Sequence, residues 1–257
     1  MISNKAKAII FVDALGNPSG VSEVSKLSEY YKIPLIEDAA CSIGSSENNI
    51  NCGNIADLTC FSFHPRKVIT TGEGGMITTN NKVIAEKCSS IRSRGLNILA
   101  EYEIFNELGT NLRITEVQAL MGISQLKNLD EFVSHRNNVA ATFTRFLRPL
   151  EEIQSIRLLG VSNSKIIHAF WRYIIFLTNG QDREEIRNNM ENHSIKIDWA
   201  YQPLVHLQPI IQKLYNTKKG DLPFSEQLAE THICLPIHLG ISSNDAEKIG
   251  ETLIEYL

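Results

Sequence analysis

The hydrophobic pattern along the first half of the chain alternates between short continuous apolar runs and helical spacing. Ala8 to Val12 is an unbroken apolar run, as in a strand buried on both faces. After the turn Gly16-Asn17-Pro18-Ser19-Gly20, Val24, Leu27, Tyr30 and Tyr31 recur at helical spacing. They predict a helix over Ser22–Tyr31 with Ser22 as N-cap. Lys32-Ile33-Pro34 ends it, and Leu35–Asp38 reads as a second strand. Strand, helix and strand in that order make a βαβ unit, which implies a parallel sheet with a right-handed crossover. Leu58–Phe63 and Met76–Thr79 predict two more strands, Lys82–Arg94 a helix, and the chain through Asn106 a polar loop. Thr115 and Gln118, at capping-box spacing, open a long helical region that reaches Leu147. Arg148-Pro149-Leu150 is expected to break it, because proline removes a backbone donor.

Beyond that point the elements shorten. Strands are expected over Trp171–Leu177, Ile195–Trp199 and His232–Leu235, helices over Asp182–Asn192 and Asn244–Tyr256, and a loop from Tyr201 to His206. The organisation predicted is a large α/β domain over residues 1–148, ending in a long helix, and a small C-terminal α+β domain over 149–257.

At 257 residues the chain can bury a sizeable core. With 43% hydrophobic and 21% charged residues it has the composition of a soluble globular protein. The net charge of −4 contains no block of like charges, so neither nucleic acid nor a membrane is expected as a partner. No apolar run reaches membrane-span length, and the first residues lack a signal-peptide pattern. Five cysteines, without C-x-x-C spacing, argue for reduced thiols in a cytoplasmic protein rather than disulfides or a zinc site. H-E-x-x-H and G-x-S-x-G are both absent, which removes metal-hydrolase and serine-hydrolase readings.

One stretch concentrates the chemistry: Cys60-Phe61-Ser62-Phe63-His64-Pro65-Arg66-Lys67, running on to Gly72-Glu73-Gly74-Gly75-Met76. It places a serine and a lysine on a short connection at the end of a core strand, where open α/β sheets bind ligands. Lys67 reads either as a solvated loop lysine or as an amine activated by apolar neighbours and the adjacent Arg66, the setting of Schiff-base lysines. Ser62 reads equally as a satisfied strand hydroxyl. Asp38 ends its strand on the same rim, either as functional carboxylate or as cap of a following helix. The glycine run lacks the Lys-Ser/Thr of a P-loop and is a turn.

Several motifs recur together. They are Ile36-Glu37-Asp38-Ala39-Ala40, Gly53-Asn54-Ile55-Ala56-Asp57, Ser62 to Lys67 and Thr70-Thr71-Gly72-Glu73-Gly74-Gly75. Asn111-Leu112-Arg113-Ile114-Thr115-Glu116-Val117-Gln118-Ala119 and Leu204-Val205-His206-Leu207-Gln208-Pro209 follow in the same order. Through them the chain resembles the DegT/DnrJ/StrS family of pyridoxal phosphate-dependent sugar aminotransferases, of type I aminotransferase fold. The resemblance implies an enzyme that moves an amino group from an amino acid, with glutamate the expected donor, onto a nucleotide-linked keto-sugar for surface polysaccharide or glycoconjugate synthesis. Lys67 is then the catalytic residue, holding pyridoxal 5'-phosphate and shuttling a proton. Asp38 is expected on the pyridine nitrogen, and Ser62 on the phosphate. Asn111 is expected on the phosphate of a neighbouring subunit's cofactor, which implies a homodimer. Cys41 stands where the family often has an amide or imidazole near the phenolic oxygen, and a thiol is a weaker partner there. His206 is expected near the substrate or as a structural loop histidine. A dehydratase variant of the family has histidine for the Schiff-base lysine, and Lys67 argues against it.

By the same resemblance the chain is N-terminally truncated relative to the family. The phosphate-cradling helix, the ring that stacks on the pyridine and the opening strands are then expected outside it, leaving a sheet edge or face uncovered. The alternative reading is a non-catalytic remnant or partner subunit that cannot hold the cofactor alone.

Overall fold

Backbone pairing joins the predicted apolar runs into one sheet. In the computed structural model, which describes residues 5–97, 99–159 and 165–257, β1 (Ile9–Val12) leads through helix α1 (Val21–Tyr31) to β2 (Leu35–Asp38). A short hairpin, β3 (Ser46–Glu47) and β4 (Ile50–Asn51), precedes β5 (Leu58–Ser62) and β6 (Gly75–Thr78). The sheet order is β1-β2-β5-β6. The first three strands are parallel, as the βαβ pattern predicts, and β6 closes the sheet antiparallel to β5. On the edge strand β1, Ile10 and Val12 are 67% and 55% exposed.

The N-terminus of α1 departs from expectation. The helix starts at Val21, and Gly20 rather than Ser22 occupies the cap position, with φ of 99°. Glu47, on β3, supplies the missing acceptors: its carboxylate receives the N–H groups of Gly20 and Ser22, each at 2.7 Å. An ionised acceptor makes a stronger bond than a hydroxyl, and negative charge suits a helix N-terminus. Burial pushes the Glu47 carboxyl up, but these bonds outweigh it and hold the group below the usual carboxylate range.

Helix α2 (Lys82–Arg92) follows, and the capping box of Thr115 and Gln118 opens α3 (Glu116–Leu126) as predicted. The next helix, α4 (Leu129–Glu152), runs through Pro149, so the expected break does not occur. Phe143 and Leu147, one turn apart, are fully buried. Burial of each contributes roughly 1.5–3 kcal/mol, and together they offset the ~3 kcal/mol that an interior proline costs.

The chain forms two compact units, residues 1–134 with 161–171, and 135–160 with 172–257. The sequence-predicted boundary at 148/149 falls inside α4. Between β7 (Ile156–Leu158) of the second unit and the rest of that unit, the chain returns to the first as β8 (Ile166–Ile167), which pairs with β3. The second unit continues with β9 (Tyr173–Leu177), α5 (Arg183–Asn192), α6 (Pro209–Tyr215), α7 (Pro223–Thr231), β10 (His232–Leu235) and α8 (Ser243–Ile254). Its sheet is antiparallel in the order β10-β9-β7. Ile195–Trp199 is not the predicted strand and makes only an isolated bridge, Asp198 to Cys234. The neighbouring donor explains it: the Ala200 N–H goes to the His232 ring at 3.0 Å instead of continuing a ladder. Helices α6 and α7 escape the apolar pattern, although Pro209 and Pro223 stand at their first positions, where proline is favoured.

Gly75 faces Ser62 across the β5–β6 pair, and a Cβ there would stand 2.6 Å from the Phe61 carbonyl oxygen. Backbone has no room to yield. Gly75→Ala is expected to lower stability by about 1–3 kcal/mol, read from urea unfolding. Unchanged stability would show that β6 is not held in this register.

Candidate functional site

Parallel strands bring their carboxyl ends to one rim, and here the backbone ladder continues past the strands. The Asp13 N–H donates to the Asp38 carbonyl at 3.0 Å, and the Ala39 N–H to the Cys60 carbonyl at 2.9 Å. Asp38 pairs with Cys60, so Ser62 lies two residues beyond Asp38's partner on the adjacent strand. Both side chains are half-buried at this rim. The Asp38 carboxylate accepts the Ala40 N–H at 3.1 Å. The Ser62 hydroxyl accepts the His64 N–H at 3.4 Å, and a hydroxyl that accepts retains one hydrogen to donate.

Lys67 sits on a tightly tied connection. Its N–H closes a turn on the His64 carbonyl at 2.9 Å, and the Phe63 carbonyl accepts from both the Thr71 N–H and the Thr70 hydroxyl. Val68 and Ile69 are buried, and Val68 packs with Val133 and Ala169. With the backbone so anchored, the amine has a defined place. Lys67 Nζ donates to Cys41 Sγ at 3.1 Å and lies 4.5 Å from the centroid of the Trp171 ring. Trp171 is itself fixed by its indole N–H, which donates to the Arg66 carbonyl at 2.6 Å.

The structure therefore brings Lys67 and Cys41 into contact and sets Asp38 and Ser62 on neighbouring strand ends. Asn111 lies on the exposed segment after α2, its backbone bridged to Ser93 and its side-chain oxygen accepting from Arg113 Nε at 3.0 Å. His206 belongs to the second unit and is buried, with Nε2 2.9 Å from Glu226 Oε1. Its imidazole is committed to that carboxylate, which also accepts the Gly220 and Leu222 N–H groups. A 520 Å³ cleft in the same unit is lined by Trp199, Pro203, Leu204 and Leu207.

Sequence reasoning missed Trp171, which it read only as the start of a strand. Its contact with Arg66 spans 105 positions, and no local pattern signals it. Among the described residues all five cysteines are free, and no helix is long and apolar enough to cross a membrane.

The model of the DegT/DnrJ/EryC1/StrS aminotransferase family matches residues 1–254. GDP-perosamine synthase of Escherichia coli O157:H7 is 29% identical over 255 residues, spanning 99% of this chain and 67% of that protein. The putative pyridoxal phosphate-dependent aminotransferase EpsN of Bacillus subtilis (strain 168) is 30% identical over 254 residues, 96% of this chain and 63% of that protein. Among solved structures, Helicobacter pylori PseC, an aminotransferase involved in the biosynthesis of pseudoaminic acid, aligns with a TM-score of 0.87 at 26% identity. That alignment covers 100% of this chain and 68% of PseC. The chain thus spans about two thirds of the length of the relatives it matches.

The indole face covers one side of the Lys67 amine, a contact worth roughly 0.5–2 kcal/mol. Trp171→Ala is expected to raise acetylation of Lys67 about 2- to 30-fold relative to Lys82, read by peptide mass mapping, while Trp171→Phe stays near wild type. No change in the alanine variant would show that the ring does not restrain the amine.

Proposed function

The chain belongs to the DegT/DnrJ/EryC1/StrS aminotransferase family, and from that premise we propose that it acts on a nucleotide-linked keto-sugar. It takes an amino group from an amino acid, with glutamate as the donor, in the cytoplasm and as a homodimer. The observation that carries this reading is the Lys67 amine fixed between Cys41 and Trp171 at the rim where Asp38 and Ser62 stand. Support for the sugar substrate comes from the relatives, one named a GDP-perosamine synthase.

The donor set fits pyridoxal phosphate. An amine, a carboxylate and a hydroxyl with a hydrogen to give answer its aldehyde, its ring nitrogen and its phosphate. When bound, the cofactor supplies an electron sink for negative charge developing at the reacting carbon. The chain's residues do the rest. Lys67 would hold the cofactor through Nζ and, once released, move a proton at that nitrogen. Asp38 would hold the pyridine proton with its carboxylate, and Ser62 would donate to a phosphate oxygen. Cys41 and Trp171 orient the Lys67 amine. Asn111, on its exposed segment, is assigned to the cofactor phosphate of the second subunit, and His206 to the edge of the substrate site through the loop it braces.

A second reading, a chain that needs a partner polypeptide to hold the cofactor, is favoured by the exposed Ile10 and Val12 on the edge strand.

Incubation with pyridoxal phosphate, borohydride reduction and peptide mapping separate these readings. The label is expected on Lys67, lost in Lys67→Ala and kept in Lys82→Ala. Equal labelling of both variants overturns the assignment of Lys67, and a wild-type chain without specific label favours the second reading.

A further inference from the structure

Behind the rim the sheet encloses two carboxyl groups that the proposed chemistry does not use. Asp13 follows β1 and Glu37 lies within β2; they are 1% and 0% exposed. Asp13 Oδ2 accepts the Ser42 hydroxyl at 2.5 Å. Glu37 Oε2 accepts the Gly53 N–H at 2.9 Å and the Thr59 hydroxyl at 2.7 Å. Each carboxyl keeps one buried oxygen, Asp13 Oδ1 and Glu37 Oε1, with no hydrogen-bond partner. Ligand-type atoms of Asp13, Glu37 and Cys52 all lie within 4.8 Å of one another.

Two ionised carboxylates this close and this dry repel each other and have both lost their hydration. Two carboxyls this close, each with an orphaned oxygen, ask for one hydrogen between them. We propose that Asp13 and Glu37 share a single proton, carried by Asp13, as a neutral acid paired with a carboxylate, and that this pair fastens the connection after β2 to the sheet. Through it β1 and β2 are joined to the Asp38–Ser42 connection by Ser42 and to β5 by Thr59. The inference does not depend on the cofactor or the substrate.

Burial, opposed by the Ser42 hydroxyl and reinforced by the Glu37 charge, raises the Asp13 carboxyl from 3.8 to about 7. Among the described residues, Glu37 and Cys52 are the titratable groups that face it. Burial first, then the two carboxyl charges, pushes the Cys52 thiol up, so it stays neutral. A folded-state pKa above the unfolded one means that the stabilisation is complete below about pH 4 and is lost as pH rises through about 7.

Asp13→Asn reproduces the protonated acid at every pH, with its amide hydrogen toward Glu37 and its oxygen toward Ser42. The test is urea unfolding of wild type and variant at about pH 5 and about pH 8.5, chosen on either side of the raised pKa. The ratio of folding constants, variant over wild type, is expected to rise roughly 10- to 100-fold between them. An infrared band of a protonated carboxyl in the wild type at the lower pH, absent at the higher, gives the same reading without a variant. A ratio flat with pH, or no such band, overturns the proposal. So does stoichiometric zinc in the purified chain with stability lost to a chelator, which would make the occupant a cation instead of a proton.

Discussion

The rim depends on the parallel register of β2 against β5. Along β2 the side chains alternate, Leu35 and Glu37 buried, Ile36 and Asp38 half-open. The pairing of Asp38 with Cys60 fixes which face each set takes. A slip of one residue would exchange the faces, burying Asp38 and turning Glu37 toward the open side. Burial on one side thus selects the register, and the register presents the Asp38 carboxylate on the open side. The same ladder, prolonged by the Asp13 and Ala39 N–H groups, keeps the connections after the strands close to the sheet.

Much of this was legible in the residues because it is local. A continuous apolar run marks β1, short apolar and aromatic stretches mark β2 and β5, and the Thr115–Gln118 spacing marks the start of α3. The family resemblance singles out Lys67, Asp38, Ser62 and Cys41; the structure puts Lys67 against Cys41, and Asp38 and Ser62 at the ends of neighbouring strands. Interactions made over long sequence distances were not legible. Trp171 reaches Arg66 and Lys67 across three intervening helices and an excursion into the second unit. The cap of α1 comes from Glu47 and not from the local serine. The backbone cost of Pro149 is local and visible in the sequence, while the burial that offsets it belongs to Phe143 and Leu147.

The first unit is discontinuous in sequence, and its late segment is not peripheral. Residues 165–171 contribute β8, the buried Ala169 packed against Val68 and Val133, and the indole over the Lys67 amine. The Ala169 N–H donates to the Ser45 hydroxyl at 2.9 Å, and that hydroxyl donates to the Gly16 carbonyl at 2.7 Å. During synthesis, the setting of Lys67 therefore stays incomplete until the ribosome has passed Trp171, long after Lys67 itself has emerged. Closing such distant contacts carries a loop-entropy cost that slows folding.

Glu47 has a consequence for how α1 opens. The first N–H groups of a helix ordinarily lack an internal partner and exchange their hydrogens with water easily. Here those of Gly20 and Ser22 are held by a carboxylate on β3, whose backbone in turn pairs with β4 and β8. Releasing them means moving the hairpin and the returning segment together. The start of α1 is thus bound into one cooperative block with a hairpin and a returning segment that both lie downstream of it in sequence, and its amide hydrogens exchange at the rate at which that block opens.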